Sequence, residues 1–310
     1  MNVLHVALNA NGQKQHALAR MLQSFGQYIE VGWFPYWQRG NLGEFRKRLL
    51  AAAGQLSPNL VFMQLQTEGI VTAETMKNMP GFKLNWSGDV RAPLPRWYLD
   101  MAPYFNVTAF TNLEDVESVR KSGHRAEYLQ IGFDETVYQP TGPRTESPPI
   151  VFLGSNYPNT FPLSGERFEM VRALNKRYGR LFGVFGGGWK GLPSYPMLNP
   201  ADEAALYRSC KVAINQNHFL RNRFSSDRIF RAMGSGACCL SQRFPDIELE
   251  FADGQHLLAW DDQDGLHRAI DMLLADDQRR ASLAINGCQH VHLNHTWTAR
   301  KKDIERIMGA

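Results

Sequence analysis

Residues 211–242 constrain this chain most, because they spell out a strand, a polar turn, a capped helix, a glycine turn and a second strand without interruption. Lys211-Val212-Ala213-Ile214 is a short apolar run of the kind expected in a buried parallel strand. Asn215, Gln216, Asn217 and His218 follow at the strand end, where ligand groups gather in open α/β sheets. In the helix that comes next, Ser225 or Ser226 can cap the start and Asp227 occupies the first turn. Ile229, Phe230 and Met233 give it an apolar stripe, and Gly234 can end it in left-handed geometry. Its N-terminus offers unpaired N–H groups and the positive end of a dipole, and Arg221, Arg223 and Arg228 bring fixed charge to the same place. The pattern predicts an anion site suited to a diphosphate. A solvated arginine surface with a plain glycine connection fits the same residues, and periodicity alone does not separate the two readings.

The same alternation runs through the rest of the chain. Strands are predicted at residues 3–8, 28–33, 60–65, 82–86, 107–110 and 126–129, and helices at 13–25, 42–53, 72–79 and 113–122. Residues 139–149 are rich in proline and polar side chains, as an interdomain linker should be. Beyond them, strands at 150–153, 181–185 and 237–240 and a helix at 167–178 begin a second alternating series. A chain of 310 residues exceeds what one hydrophobic core usually supports. The expected division is therefore an α/β domain at 1–138, a linker at 139–149, a second α/β domain at 150–295 and a final helix at 296–310 that can cross back to the first domain.

A family resemblance sharpens this. The run Asp227-Arg228-Ile229-Phe230-Arg231-Ala232-Met233-Gly234-Ser235-Gly236-Ala237 resembles the R-x-F-E-A-M-A-S-G-A signature of group 1 glycosyltransferases. Arg243-Phe244-Pro245-Asp246-Ile247-Glu248, then Phe251-Ala252-Asp253-Gly254, Trp260-Asp261-Asp262 and His295-Thr296-Trp297 follow in that family's order. Together they span roughly residues 150–308 and most closely resemble the CgeB-like branch.

The resemblance implies a GT-B architecture, two Rossmann-like domains facing a central cleft. It implies transfer of a sugar from a nucleoside-diphosphate donor, a UDP-sugar by expectation, to a hydroxyl acceptor, with retention and without a metal ion. Donor contacts are then expected from Asn156, Lys190, Asn215, Arg223, Ser226, Asp227, Arg228, Arg231 and Glu248, with Arg228 also serving the chemistry. Acceptor contacts are expected from Asn11, Gly12, His16 and Trp97, and Asp89 is the carboxylate best placed to act as a base. Each has a plainer reading. Asn11-Gly12 and Asp89 suit ordinary turns, His16 a helix flank, Lys190 an exposed loop, Trp97 a core, and Glu248 an ion pair with Arg231 or Arg243.

One position departs from the family. Arg231 stands where the signature carries the glutamate that usually binds the donor ribose, and a guanidinium has donors only. An alternative therefore stands beside the enzyme: a catalytically inactive, glycosyltransferase-like binding or assembly protein.

Charge and composition limit the partners. A formal charge of +4 permits an anionic partner without requiring one. Arg39, Arg46, Lys47 and Arg48 follow the aromatic segment Trp33-Phe34-Pro35-Tyr36-Trp37, which leaves a modified base in DNA as one candidate acceptor beside a glycan precursor. No run of about 18 apolar residues exists, so membrane insertion is not expected. Cys210, Cys238, Cys239 and Cys288 lack metal-ligand spacing, and a reduced, cytoplasmic location is expected.

Overall fold

A computed structural model describes residues 1–10 and 14–309. The chain divides into two compact units, Met1–Ile131 with Trp297–Ala310, and Gly132–Thr296.

The first unit is built on a six-stranded sheet in the order β2-β1-β3-β4-β5-β6. Its strands are β1 Val3–Ala7, β2 Tyr28–Gly32, β3 Leu60–Met63, β4 Phe82–Ser87, β5 Val107–Phe110 and β6 Ala126–Tyr128, and every pairing is parallel. The central strands are apolar on both faces because helices cover both. On one face the helix His16–Gln23 buries Leu18, Met21 and Leu22 against Phe62, Leu84 and Trp86. The C-terminal helix Trp297–Met308 joins the same core through Trp297, Ile304 and Ile307, with the Trp297 ring edge-on to Trp86 at 5.1 Å. On the other face Leu4, Val6, Val61 and Met63 lie under Phe45, Leu49 and Ala53 of the helix Leu42–Leu56.

The second unit carries a five-stranded parallel sheet made of β7 Ile150–Leu153, β8 Phe182–Phe185, β9 Val212–Asn215, β10 Cys238–Gln242 and β11 Leu258–Trp260. Its order is β11-β10-β9-β7-β8. Met170, Val171 and Leu174 of the helix Ser164–Tyr178 and Leu266, Ile270 and Leu273 of the helix Gln263–Ala275 pack on one face. Leu206, Tyr207 and Ala232 cover the other.

Several local features differ from the sequence reading, the short helices Phe34–Gln38 and Arg96–Met101 among them. β11 and the helix Pro200–Ser209 were not foreseen, although Asn199 caps that helix by accepting from the Asp202 amide and Pro200 opens it. Gly234 closes the helix Asp227–Gly234 from inside, and the left-handed residue is Gly236, at φ +84. Gly234 answers a packing need, since a Cβ there would lie 2.5 Å from the Phe133 ring. Residues 139–149 are also tied down: Arg208 donates to the carbonyls of Pro143 at 2.7 Å and Gln139 at 3.0 Å, and the Thr145 amide donates to Ser209 at 3.0 Å. Among the described residues, no helix is long and apolar enough to cross a membrane.

Candidate active site

The strand order of the second unit reverses between β7 and β9, and the loops after those two strands meet at the opening this creates. After β7 the chain passes through Gly154, Ser155 and Asn156. Gly154 N donates to Phe185 O at 2.7 Å, Asn156 N to Gly187 O at 2.9 Å, and Gly187 N to Ser155 Oγ at 3.0 Å. This explains the glycine run at 186–188. A Cβ at Gly186 would fall 2.7 Å from the Gly154 carbonyl, and one at Gly188 would collide with the Asn156 carbonyl.

After β9 the polar residues fix the start of the helix Asp227–Gly234. Asn217 Oδ1 accepts from the Ser226 amide at 3.0 Å, and its Nδ2 donates to Phe224 O at 3.0 Å. Ser226 makes no capping bond to its own helix; its hydroxyl donates to Asn215 Oδ1 at 3.0 Å, and Asn215 Nδ2 in turn donates to Ser241 at 3.0 Å. The helix start is therefore held by side chains from the preceding strand end, which aims its first turn at the loop after β7.

Two guanidiniums converge there. Arg228 Nη2 donates to the Gln216 carbonyl at 3.1 Å, and Arg167 Nη1 donates to the same oxygen at 2.6 Å. Arg167 is 0% exposed, lies 4.6 Å from the centre of the Phe152 ring, and leaves Nε and Nη2 without a hydrogen-bond partner; Arg228 leaves Nε unpaired. Gly154 admits them, since a Cβ on it would collide with Arg167 Nη2. Burial, followed by the charge of Arg228, pulls the Arg167 pKa well below its usual value, and burial pulls Arg228 down as well. His218 completes the group. Its Nδ1 has no partner, and burial together with the charges of Arg167 and Arg228 pushes its pKa down to about 3, so it is neutral near pH 7. Asp227 and Glu203 act on Arg228, but no carboxylate acts on Arg167, and a buried cation without a counter-ion is costly. An anion seated between the guanidiniums would relieve the burial cost and the mutual repulsion together.

The remaining sequence-derived candidates fall out differently. Arg223, at φ +58, turns its guanidinium to Glu250, a carboxylate of which 4% is exposed, with Nε 2.9 Å from Oε1. Arg231 pairs with Asp227 at 2.6 Å and Glu203 at 2.9 Å and lies over the Tyr138 ring. Against the cost of burial, those two carboxylates hold the Arg231 pKa well above its usual value, and burial raises that of Glu203 despite the pairing. Glu248 is exposed and pairs with Arg243 at 3.1 Å, which also binds Asp253 and Asp261. Asn156 is buried with Oδ1 unpaired, whereas Lys190 is exposed in its loop.

In the first unit Asp89 is exposed after β4 and pairs with Arg91 at 3.3 Å. His16 is the exposed first residue of its helix, and Trp97 stacks on Tyr98 at 3.8 Å. Asn11 and Gly12 lie outside the described residues. The basic segment is locally engaged: Arg39 donates to Pro35 O, Arg46 to Ile70 O and Arg48 to the Tyr36 hydroxyl. Among the described residues, no three His, Cys, Asp or Glu side chains form a group that could hold a metal ion.

Sequence reasoning missed Arg167 and Glu203. Both sit three and four residues ahead of apolar residues that the structure buries, a local spacing that the weakly amphipathic helices around them do not make plain. Arg167 precedes Met170, Val171 and Leu174, and Glu203 precedes Leu206 and Tyr207.

A family model described as glycosyl transferase-like matches residues 167–306. No curated protein matches the sequence. Among solved structures, Anabaena HepE in complex with UDP and glucose is 12% identical, with a TM-score of 0.71 over 100% of this chain and 99% of its own. A glycosyltransferase from Rickettsia africae is 12% identical, with a TM-score of 0.69 over 99% and 97%. Sucrose-phosphate synthase from Thermosynechococcus elongatus is 12% identical, with a TM-score of 0.64 over 98% and 97%. The chain has the GT-B glycosyltransferase fold, two parallel-sheet α/β domains.

Proposed function

We propose that the protein transfers a sugar from a nucleoside-diphosphate sugar, a UDP-sugar in the first instance, to an acceptor hydroxyl. The observation that carries this is the pair Arg167 and Arg228, held on one carbonyl with unpaired N–H groups at the switch point of the second sheet. Their forks suit phosphate oxygens, and the first turn of the helix Asp227–Gly234 adds backbone donors. As the bond from the anomeric carbon to the donor phosphate breaks, charge grows on the leaving diphosphate. Two fixed guanidiniums stabilise it without having to reorganise. They supply the positive charge that a metal ion would otherwise provide, which supports metal-independent transfer.

Retention is the favoured course, as in the group 1 transferases that the chain resembles through their CgeB-like branch. Asp89 is then an acceptor ligand rather than an essential base, in keeping with its exposed pairing with Arg91. The first unit takes up the acceptor, with His16, Trp97, Asn11 and Gly12 as its contacts. A glycan precursor is favoured over a modified base in DNA, because the arginines that would track a phosphate backbone are bonded to their own loop and helix. The unbridged cysteines suit a reduced, cytoplasmic setting. Arg231 does not argue for an inert protein. Its partners Asp227 and Glu203 account for it structurally and leave the Arg167–Arg228 pair intact.

The test is release of UDP from UDP-glucose, UDP-galactose and UDP-N-acetylglucosamine, with and without EDTA and simple glycosides. Slow hydrolysis or transfer that EDTA does not change and that Arg228→Ala abolishes supports the reading. UDP binding without turnover of any donor would favour a binding protein, and absence of both would refute the donor site.

A further inference from the structure

The aromatic segment after β2 has no part in the donor site. Trp33 anchors it, buried and donating its indole N–H to the Gln64 carbonyl at 3.0 Å. The short helix Phe34–Gln38 that follows buries none of its residues. Trp37 on it is 46% exposed, with its ring 5.5 Å from that of Phe34. No other tryptophan among the described residues is exposed: Trp97 is half-buried and the rest are buried. A large amphipathic ring held out in water at a fixed place marks a contact surface.

The charge around it is unbalanced. Residues 33–56 carry Arg39, Arg46, Lys47 and Arg48 against one carboxylate, Glu44, a net charge of +3 in a chain whose total is +4. None of these four cations has an ion pair among the described residues, whereas Arg91, Arg96, Arg120 and Arg125 of the same unit each meet a carboxylate. Arg46 turns to the carbonyls of Gly69 and Ile70. Arg39 and Arg48 flank the Tyr36 ring, their guanidinium carbons 5.4 and 5.9 Å from its centre. Arg39 gives Nε to the Pro35 carbonyl at 2.9 Å, and Arg48 gives Nη1 to the Tyr36 hydroxyl at 2.5 Å. Both side chains are otherwise exposed, as is Lys47. Like charges held about one ring without a counter-ion repel each other, and an anionic surface laid against them removes that cost.

We propose that this face docks on the headgroups of an acidic lipid bilayer, with the Trp37 indole entering the interface and Arg39, Lys47 and Arg48 meeting lipid phosphates. An indole settles at headgroup level because its ring is apolar and its N–H is not, and clustered cations are drawn to the negative surface potential of acidic lipids. A headgroup layer adapts to cations that are fixed in place. A DNA backbone would require them in register with its phosphates, and here their own loop and helix hold them. Docking of this kind needs no spanning helix. The inference stands independently of the donor reading, since it uses the first unit and none of the residues proposed to hold the diphosphate.

Co-sedimentation with vesicles of phosphatidylcholine, with and without phosphatidylglycerol, tests it. The protein should bind the acidic vesicles, more weakly as salt rises, and not the neutral ones. Trp37→Ser, at an exposed position, should weaken binding roughly tenfold. Arg39→Gln together with Lys47→Gln should weaken it roughly thirtyfold. Lys176→Gln with Arg279→Gln removes the same charge from exposed positions of the second unit and should change binding by less than about twofold. Acidic vesicles should shift tryptophan emission to the blue in the wild type and not in Trp37→Ser. Absence of binding to acidic vesicles, equal binding to neutral ones, or wild-type binding by both variants of this face would each overturn the proposal. So would a short DNA duplex that strips the protein from acidic vesicles at equal phosphate concentration, which would assign the face to nucleic acid. Failure of the donor reading would show separately, as loss of UDP binding with vesicle binding intact.

Discussion

The two sheets share one strand order and differ in what stands where it reverses. Counted within each unit, both run 2-1-3-4-5, with a sixth strand added at the end of the first, and the reversal falls between β1 and β3 in the first and between β7 and β9 in the second. In the first unit the residues around that point neutralise one another. His5 reaches Tyr28 at 2.8 Å and Gln64 at 3.0 Å, Tyr28 donates to Glu30 at 2.7 Å, and Asn9 donates to the other Glu30 oxygen at 2.8 Å. The His5 hydrogen bond, working against burial, draws the Glu30 pKa far below the usual carboxylate range. In the second unit the corresponding point holds Arg167, Arg228 and His218 with unpaired nitrogens and no carboxylate on Arg167. One topology thus carries a paired polar cluster in one unit and guanidiniums with unpaired nitrogens in the other. Side chains, and not strand order, decide which.

Changes at these positions test the contrast. The largest effect is expected at Arg231, which pairs with both Glu203 and Asp227. Arg231→Met strands Glu203 and Asp227 beside one another, and chemical denaturation should show a loss of about 3–5 kcal/mol. Next, His5→Leu opens the closed network and leaves Gln64 Oε1 without its ring partner. It should cost about 2 kcal/mol and leave UDP affinity unchanged. A smaller effect, opposite in sign, is expected at the guanidiniums. Arg167→Met removes a buried, incompletely paired cation and should raise the stability of the ligand-free protein by about 1 kcal/mol, or about 2–4 °C in melting temperature, while UDP no longer stabilises it.

A separate effect, read as a slope and not as a single loss, is one of pH. His218 has a folded pKa of about 3 against an unfolded value of 6.5. The unfolded chain therefore binds the extra proton first as pH falls, and stability declines from about pH 6.5 toward pH 3. His218→Gln should make that decline shallower in a series of urea titrations between pH 7 and 4.

What the sequence made legible follows from periodicity. Buried parallel strands read as apolar runs, so β1, β3, β5, β7 and β9 could be placed to within a residue or two. β11 is only Leu258–Trp260, too short for a pattern, and the helix Pro200–Ser209 announces itself through its Asn-Pro cap and not through a clean stripe. The proposed anion site was half legible. Arg228 and the strand-end residues 215–218 follow from the strand and helix signals, but which arginine lacks a carboxylate depends on contacts distant in sequence. Arg223 looked available until Glu250, far along the chain, took it, and Arg167 looked like the plain start of a helix until Gln216 and Gly154 met it. Arg231 shows the same limit. Its partner Glu203 sits on a helix that precedes it by a full strand and loop.

The central claim is that the switch point of the second sheet binds a diphosphate through Arg167 and Arg228. Isothermal titration of UDP into the wild type and into Arg228→Ala tests it most directly, with uridine as the ligand lacking phosphate. The account predicts measurable UDP binding, little binding of uridine, and about 100-fold weaker UDP binding in the variant, since a buried charge pair is worth roughly 2–5 kcal/mol when truncated. Equal affinity for UDP in both proteins, or uridine binding as well as UDP, would contradict it.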